Sequence, residues 1–235
     1  MSVPPGSSRW TDIGATPDFA EPSTAPDKFL VIAATPGAPT HELARALWSA
    51  GTLGAPMEYF DIDHVSFTLA TRWGTENWAQ YTAELTRRRT SATGVFSLIL
   101  SNDDLRSLRV IGIELVPSHV ILFSAEHPDE QAVRAVSALW KRLGNDEPKY
   151  ERRTIEGAMQ QISRQNTAWE TWIDPSRTTT FTVGVQDVLG GADTLLPSIL
   201  AWMGGEQLPS PMAMPQLHPI PGRSRWLARF REEAR

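Results

Sequence analysis

The chain of 235 residues contains no cysteine. This absence excludes disulfides, thiolate metal ligands and cysteine nucleophiles, and it gives no sign of secretion. The histidines are few and scattered, without the spacing that a zinc site requires. They are His41, His64, His119, His127 and His218. The sequence therefore predicts a protein without a metal centre.

Positive charge is also in short supply. The formal net charge is −5 at pH 7, so a general attraction to nucleic acid or to an anionic membrane is not expected. No apolar run approaches the length of a membrane span, and the N-terminal residues lack the apolar core of a signal peptide. We therefore expect a cytoplasmic protein without nucleic-acid or membrane partners.

Proline is concentrated at the N-terminus. Residues 1–27 contain five of the 18 prolines among Ser, Gly, Thr and Asp, a composition that buries too little apolar surface to offset its ordering entropy. We expect a disordered or loosely docked tail, with Trp10 and Phe19 as residues that could hold it to the body. Residues 28–235 then form a single α/β domain.

Short apolar runs alternate with amphipathic segments along this domain. Strands are expected near 29–33, 95–100, 120–123 and 181–185, and helices near 40–50, 75–88, 128–143, 151–173, 195–203 and 223–235. The stretch after Tyr59 is expected to be irregular, and residues 110–113 a short element. Alternation of this kind predicts a mostly parallel sheet flanked by helices on both faces.

The first turn from strand to helix reads Thr35-Pro36-Gly37-Ala38-Pro39-Thr40. Such turns often hold a phosphate, because free helix N–H groups and the helix dipole attract an anion. Here two prolines remove N–H donors, and Glu42 competes for the dipole. The pattern G-x-x-x-x-G-K-[ST] is absent, which excludes an ordinary nucleoside triphosphatase. The residues alone leave two alternatives, a phosphate cradle and a plain connection in which Thr40 caps the helix.

Several motifs in order resemble the bacterial trehalose 2-sulfotransferase family. Gly54-Ala55-Pro56-Met57-Glu58-Tyr59-Phe60 resembles its Gly-x-Pro-x-Glu-Tyr/Phe-Phe segment. The Arg-rich stretch 86–96, which ends Gly-Val-Phe, resembles the entry to its middle strand. Ala135-Val136-Ser137-Ala138-Leu139-Trp140, the long helix ending near 173 and the basic segment from Arg223 also match. The resemblance extends from about residue 28 to the end.

This resemblance implies a P-loop-like sulfotransferase fold and transfer of a sulfuryl group from 3′-phosphoadenosine 5′-phosphosulfate (PAPS) to a carbohydrate-like hydroxyl. Glu58 corresponds to the general base that takes the proton of the acceptor. The donor cofactor PAPS would contact residues of the first loop, of the helix that follows the third strand, and of the C-terminal segment. These residues are Thr35, Gly37, Thr40, Ser137, Arg223 and Arg225. The family includes dimers, so a homodimer is left open.

The chain departs from the family where donor cations are expected. The first loop lacks the arginine of the family's Arg-Ser-Gly-Ser-Thr, and the run Ser97–Ser101 lacks its lysine and histidine. No arginine follows the third strand, where Glu126 and His127 stand instead. Each lost charged contact is worth about 1.5–3 kcal/mol. The alternatives are therefore a sulfotransferase with a degenerate donor site, a catalytically inactive relative that binds or regulates, and a remodelled enzyme that does not use PAPS.

Two further groups of side chains have more than one interpretation. Trp73, Trp78 and Tyr81 could form a wall on which a sugar stacks, although their spacing is more typical of a buried helix face. The run Arg87–Arg89 could bind an anion, although a solvated helix C-terminus is favoured.

Overall fold

The computed structural model describes residues 18–19, 25–61, 65–124, 126–143, 149–191, 195–205 and 223–233. Within these ranges the chain forms one four-stranded sheet in which every pairing is parallel. The strands are β1 (Lys28–Ala34), β2 (Val95–Ser101), β3 (His119–Phe123) and β4 (Thr179–Val183), in the order β2-β1-β3-β4.

Nine helices lie in the same described ranges. They are α1 (Thr40–Ser49), α2 (Val65–Trp73), α3 (Trp78–Arg89), α4 (Asn102–Val110), α5 (Pro128–Arg142), α6 (Arg152–Trp172), α7 (Val185–Gly190), α8 (Leu195–Trp202) and α9 (Arg223–Glu233). Among the described residues, no helix combines the length and the apolar character that crossing a membrane requires.

The sheet is covered on both faces, and its inner strands β1 and β3 and the edge strand β2 are mostly apolar on both faces, whereas the edge strand β4 is rich in threonine. Leu30 and Ile32 of β1 pack in one core with α1, α7 and α8. Val31 and Ala33 face the other way and pack in a second core with α2, α3, α4 and α6. The predicted α/β class, a parallel sheet flanked by helices on both faces, is confirmed.

Three helices were not predicted from the sequence, and one predicted strand is shifted. α2 lies in the stretch expected to be irregular, and α4 begins directly after β2, where Ser101 and Asp104 form a capping box. The expected short element at residues 110–113 is the end of α4 and a turn at Gly112. β4 ends at Val183, and Val185 already belongs to the unpredicted α7.

Only part of the predicted N-terminal tail is described. Trp10 lies outside the described residues. The Phe19 backbone N–H donates to the Arg88 carbonyl oxygen at 2.9 Å. The carboxylate of Asp18 contacts arginines of α2 and α3. This stretch of the N-terminal segment is therefore attached to the α2–α3 surface.

Candidate active site at the carboxyl edge of the sheet

The strand order creates a crevice between β1 and β3. The chain leaves β1 towards β2 on one side, and it leaves β3 towards β4 on the other side. Ligands of open parallel sheets bind at such a switch point, beyond the carboxyl ends of the strands. The loop Thr35–Pro39 follows β1 there, and α5 begins after β3 at Pro128. The candidate site lies where this loop meets α5.

The loop packs directly on the backbone of α5. Gly37 has φ +76°, and an added Cβ would lie 2.1 Å from the Gln131 carbonyl oxygen and 2.9 Å from the Ala135 nitrogen. Only glycine combines this backbone conformation with so close an approach. Gly37 therefore sets the distance between the loop and α5.

Side chains of α5 also bind the polar groups of the loop. Gln131 is 1% exposed, and its Nε2 donates to the Thr35 hydroxyl and to the Pro36 carbonyl oxygen, both at 2.9 Å. On the other side of β1, buried Trp169 of α6 donates to the Ala34 carbonyl oxygen at 3.3 Å. The end of β1 and the start of its loop are thus fixed by two different helices.

Arg134 of α5 supplies a cation that the loop itself lacks. Its Nε donates to the Gly37 carbonyl oxygen at 2.8 Å, and its Nη2 lies 3.4 Å from Oε1 of Glu42 in α1. The side chains of Arg134 and Glu42 are 14% and 22% exposed, so water screens this pair only in part. The loop itself has no lysine or arginine, and Arg134 brings a guanidinium to it from α5.

Arg223, at the start of α9, joins the same group of charges. Burial and, to a smaller extent, nearby Arg134 lower the pKa of its guanidinium to about 10, while Glu42 acts in the opposite direction. Its Nε is buried and makes no hydrogen bond with the described residues. We call Glu42, Arg134 and Arg223 the carboxyl-edge cluster. Two guanidiniums and one carboxylate leave it with one positive charge.

The far end of α9 fastens the helix to α5 and α6. Phe230 is buried against both helices. Arg231 lies 2.6 Å from the Asp129 carboxylate and 3.0 Å from that of Glu130 at the start of α5. The guanidinium of Arg229 lies 4.2 Å from the centre of the Tyr150 ring. These contacts hold α9 in the orientation that brings Arg223 to the loop.

Glu58 is a polar residue within an otherwise buried segment. Met57 and Tyr59 are 7% and 0% exposed, and the Ile99 N–H of β2 donates to the Met57 carbonyl oxygen at 2.9 Å. The Tyr81 hydroxyl donates to the Tyr59 carbonyl oxygen at 2.7 Å. The Glu58 side chain is 31% exposed. Its backbone is therefore held firmly while its carboxylate reaches solvent.

His41 of α1 faces Glu58. Its Nε2 lies 3.6 Å from the Glu58 Oε1, and its side chain is 37% exposed. This separation suits an ion pair when the imidazole is protonated and is longer than a hydrogen bond. A carboxylate and an imidazole at this distance, both open to solvent, can together accept and pass on a proton. His41 precedes Glu42, so the pair adjoins the carboxyl-edge cluster along α1.

Of the residues assigned to the donor, Thr35, Gly37, Thr40 and Arg223 lie at or beside the loop. The expected capping role of Thr40 is wrong: Pro39 is the N-cap, and the Thr40 hydroxyl points to the Ala38 carbonyl oxygen at 3.5 Å. No side-chain hydrogen bond caps this end of α1, because proline has no side-chain acceptor. Just before the helix, the loop closes as a turn in which the Ala38 N–H donates to the Thr35 carbonyl oxygen.

The other two assigned donor residues are less favourably placed. Ser137 is 2% exposed, and its hydroxyl donates to the Val133 carbonyl oxygen at 2.7 Å within α5. Arg225 is exposed on α9, two residues from Arg223 and so on a different face of the helix. Contact of either residue with PAPS stays a prediction.

The aromatic residues of α2 and α3 form part of the core. Tyr81 is 2% exposed, and its ring centre lies 5.9 Å from that of Trp73 and 5.6 Å from that of Trp78. Both tryptophans are partly buried against the same core. The favoured interpretation, a buried helix face, is confirmed for Tyr81.

The favoured interpretation of the arginine run is wrong for its last member. Arg87 and Arg88 both contact the Glu84 carboxylate at the protein surface. Arg89, however, is 0% exposed. It lies four and eight residues after the buried Leu85 and Tyr81, and the helix turns it towards the same core.

No group of three or more histidine, aspartate or glutamate side chains in the described part of the chain could hold a metal ion. Glu126 and His127, which follow β3, are both exposed. His127 is the N-cap residue of α5, without a side-chain capping bond.

Two surface cavities in the described ranges lie away from the carboxyl edge, one of about 530 Å³ beside Trp172 and one of about 430 Å³ beside Trp73.

Sequence reasoning missed His41, Gln131 and Arg134. The carboxyl ends of parallel strands meet at one edge, so a helix that follows β3 has to begin near the loop after β1. Polar residues three positions apart near the start of that helix, such as Gln131 and Arg134, lie on one face of it. The spacing of Gln131 and Arg134 could therefore have indicated from the sequence that both face the loop.

Comparison with known proteins adds a loose structural similarity. No model of a protein family matches the chain, and no curated protein matches it in sequence. Among solved structures, a sulfotransferase domain from the curacin biosynthetic pathway is similar over 90% of this chain and 98% of its own length. The TM-score is 0.48 and the sequence identity 10%. At this level a likeness describes general shape, so the proposal that follows rests on the residues of this chain.

Proposed function

We propose that the chain is a sulfotransferase-like protein that transfers a sulfuryl group from PAPS to a hydroxyl of a small, carbohydrate-like acceptor. The observation that carries the proposal is the pair formed by Glu58 and His41, 3.6 Å apart at the carboxyl edge of the sheet. The motifs around Glu58 and the net positive charge of the carboxyl-edge cluster support it.

Glu58 acts on the acceptor. A sugar hydroxyl is a poor nucleophile until a base takes its proton as the oxygen attacks. The oxygen forms a bond to sulfur, the bond between sulfur and the phosphate oxygen breaks, and the proton goes to the Glu58 carboxylate. Because buried neighbours fix the Glu58 backbone, little reorganisation is needed. His41 orients the carboxylate and can carry the proton to solvent.

The carboxyl-edge cluster acts on the donor. The leaving phosphate gains negative charge, which nearby cations stabilise. One observation fits an anion here, namely the buried Nε of Arg223 without a hydrogen bond among the described residues. Another opposes it, because the Glu42 carboxylate already contacts Arg134. Binding of PAPS is therefore expected to be weak, with both arginines contributing.

The test is sulfuryl transfer from ³⁵S-labelled PAPS to a panel of mono- and disaccharides. Replacing Glu58 by Gln keeps the size of the side chain and removes the base, and we expect turnover to fall about 100-fold or more. His41→Gln should cause a smaller loss. Glu76→Gln, at an exposed position, is the matched control. Turnover that is unchanged in Glu58→Gln would disprove the proposed role.

A second candidate is a catalytically inactive relative that binds or regulates. The observation in its favour is that α5 already occupies the polar groups of the loop, through Gln131 and Arg134. This candidate predicts no heat of binding with adenosine 3′,5′-bisphosphate in calorimetry. Binding in the micromolar range would contradict it and favour the enzyme.

A further inference from the structure

Three arginines converge on one carboxylate far from the carboxyl-edge cluster along the chain. Asp18 of the N-terminal segment lies 3.0 Å from Arg72, 3.8 Å from Arg88 and 3.0 Å from Arg89, measured between carboxylate oxygens and guanidinium nitrogens. We call these four residues the Asp18 cluster. Glu84 also contacts Arg88 but is shared with Arg87. Positive charge therefore exceeds negative charge in this region.

Arg89 is the member of the cluster whose guanidinium donors lack hydrogen-bond partners. Its side chain is 0% exposed, and its guanidinium lies over the rings of Tyr59 and Trp73, 5.5 and 5.6 Å from their centres. None of its three guanidinium nitrogens makes a hydrogen bond with the described residues, since the contact with Asp18 lacks the alignment of one. A buried guanidinium offers five donors and ordinarily uses several of them.

An oxyanion would satisfy these donors better than Asp18 does. A sulfate or phosphate group presents three or four oxygens in different directions, whereas a carboxylate presents two in one plane. The guanidiniums of Arg72, Arg88 and Arg89 come from two helices and approach the carboxylate separately. Their arrangement suits a group that accepts from several sides.

A cavity of about 430 Å³ adjoins the cluster. Its lining includes Arg88 of the cluster, the ring of Trp73, and the polar side chains of Thr75, Gln80 and Glu84. An aromatic face combined with hydroxyl, amide and carboxylate groups suits a polyhydroxylated molecule. The body of a ligand could lie here while its charged group reaches the arginines.

Apart from the three arginine contacts, the described residues add little that holds Asp18 in place. Phe19 contributes one backbone hydrogen bond, to Arg88, and the surrounding sequence is rich in proline. Asp18 lies outside the sheet and its helices, so its carboxylate can leave without unfolding them. We propose that the Asp18 cluster is an anion-binding site in which Asp18 is a displaceable internal occupant, and that its ligand is a small polyhydroxylated molecule carrying a sulfate or phosphate group.

Binding of inorganic sulfate to the full chain, measured by calorimetry, tests the proposal. Asp18→Asn removes the internal competitor, so we expect it to bind sulfate at least tenfold more tightly than the original chain. Asp103→Asn, which removes an exposed carboxylate paired with Arg106, is the control and should leave sulfate binding unchanged. Equal affinity in Asp18→Asn and the original chain would overturn the proposal.

A second measurement on the unaltered chain covers the case in which Asp18→Asn does not fold. Displacement of Asp18 should also free the Phe19 amide, so sulfate should speed hydrogen exchange in a peptide containing Phe19 relative to sodium chloride of equal ionic strength. Exchange that does not change would overturn the proposal. Glucose 6-sulfate and glucose 6-phosphate are the next probes, and weaker binding of both than of inorganic sulfate would exclude a role of the cavity.

Discussion

The carboxyl-edge cluster and the Asp18 cluster are alike in composition and different in attachment. Each places a carboxylate among more guanidiniums than it can neutralise. Glu42 belongs to helix α1 and is fixed by the fold. Asp18 belongs to an N-terminal segment held by few described contacts. The same local chemistry therefore has a permanent counter-charge in one cluster and a removable one in the other.

This difference bears on how the two clusters can respond to a ligand. An anion that enters the carboxyl-edge cluster has to share it with Glu42, which lowers affinity and leaves the structure unchanged. An anion that enters the Asp18 cluster can replace the carboxylate, which couples its binding to release of the segment. A ligand shifts a conformational equilibrium only by its differential affinity for the two states.

The largest expected effect tests how strongly the Asp18 cluster depends on its one carboxylate. Asp18→Asn leaves buried Arg89 without a counter-charge, and we expect the free energy of unfolding to fall by about 4 kcal/mol. The double variant Asp18→Asn/Arg89→Met should be more stable than Asp18→Asn alone, because an apolar side chain tolerates the buried position. Urea denaturation measures both. Additive losses in the double variant would show that the pair is not coupled.

Gly37→Ala tests the contact that brings Arg134 to the loop. The positive φ alone costs an L-residue about 1–2 kcal/mol, and overlap with the α5 backbone adds to this. We expect a total loss of about 3 kcal/mol in urea denaturation. Gly51→Ala is the matched control, since Gly51 has φ +71° but nothing within 4 Å of an added Cβ. Equal losses at the two glycines would refute a tight loop.

Glu42→Gln tests whether the fixed carboxylate limits anion binding. Removing its charge frees Arg134, and we expect adenosine 3′,5′-bisphosphate to bind about tenfold more tightly, equivalent to ~1.4 kcal/mol. Calorimetry provides the measurement. Glu126→Gln, at an exposed position near the start of α5, should change affinity less than twofold. Weaker binding in Glu42→Gln would show that Glu42 positions Arg134 rather than competing with the ligand.

The smallest expected effect concerns Glu84 beside the Asp18 cluster. Hydrogen bonds from Arg87 and Arg88 lower the pKa of its carboxyl from 4.5 to about 2. A lowered folded-state pKa contributes stability above pH 4.5 that is lost as the pH falls towards 2. Solvent screening limits this contribution to less than about 1 kcal/mol. Glu84→Gln should remove that part of the acid dependence in thermal unfolding between pH 5 and 2, and Glu76→Gln should retain it.

The sheet could be predicted from the sequence because its strands are short apolar runs separated by helices. Val95–Leu100 and Val120–Phe123 stand out by composition alone, and the structure extends each by one residue. Helix α4 was missed because it follows β2 without a connecting loop, although the capping box of Ser101 and Asp104 marks its start in the sequence. Arg89 lies at helical spacing from the apolar residues Tyr81 and Leu85, and this spacing predicts a buried position. Its charge was given more weight than its spacing, so the burial was missed.

The candidate site was less accessible to sequence reasoning. Gly37 and Arg134 touch although 97 positions separate them, and only the strand order makes them neighbours. Glu58 was found through a motif, whereas its partner His41 has no signal beyond its position at the start of α1. Arg134 and Arg223 bring positive charge to the loop from α5 and α9, and the sequence of the loop alone cannot reveal this.

Helix α9 has a consequence for partial proteolysis. Phe230, Arg229 and Arg231 attach its second half to the neighbouring helices and to Tyr150, while its first residue, Arg223, lies about 10 Å away along the helix axis, at the crevice. A protease cut just ahead of this helix would spare all four strands. If the released helix then dissociated, the carboxyl-edge cluster would lose Arg223. Its net charge would fall from one positive charge to zero.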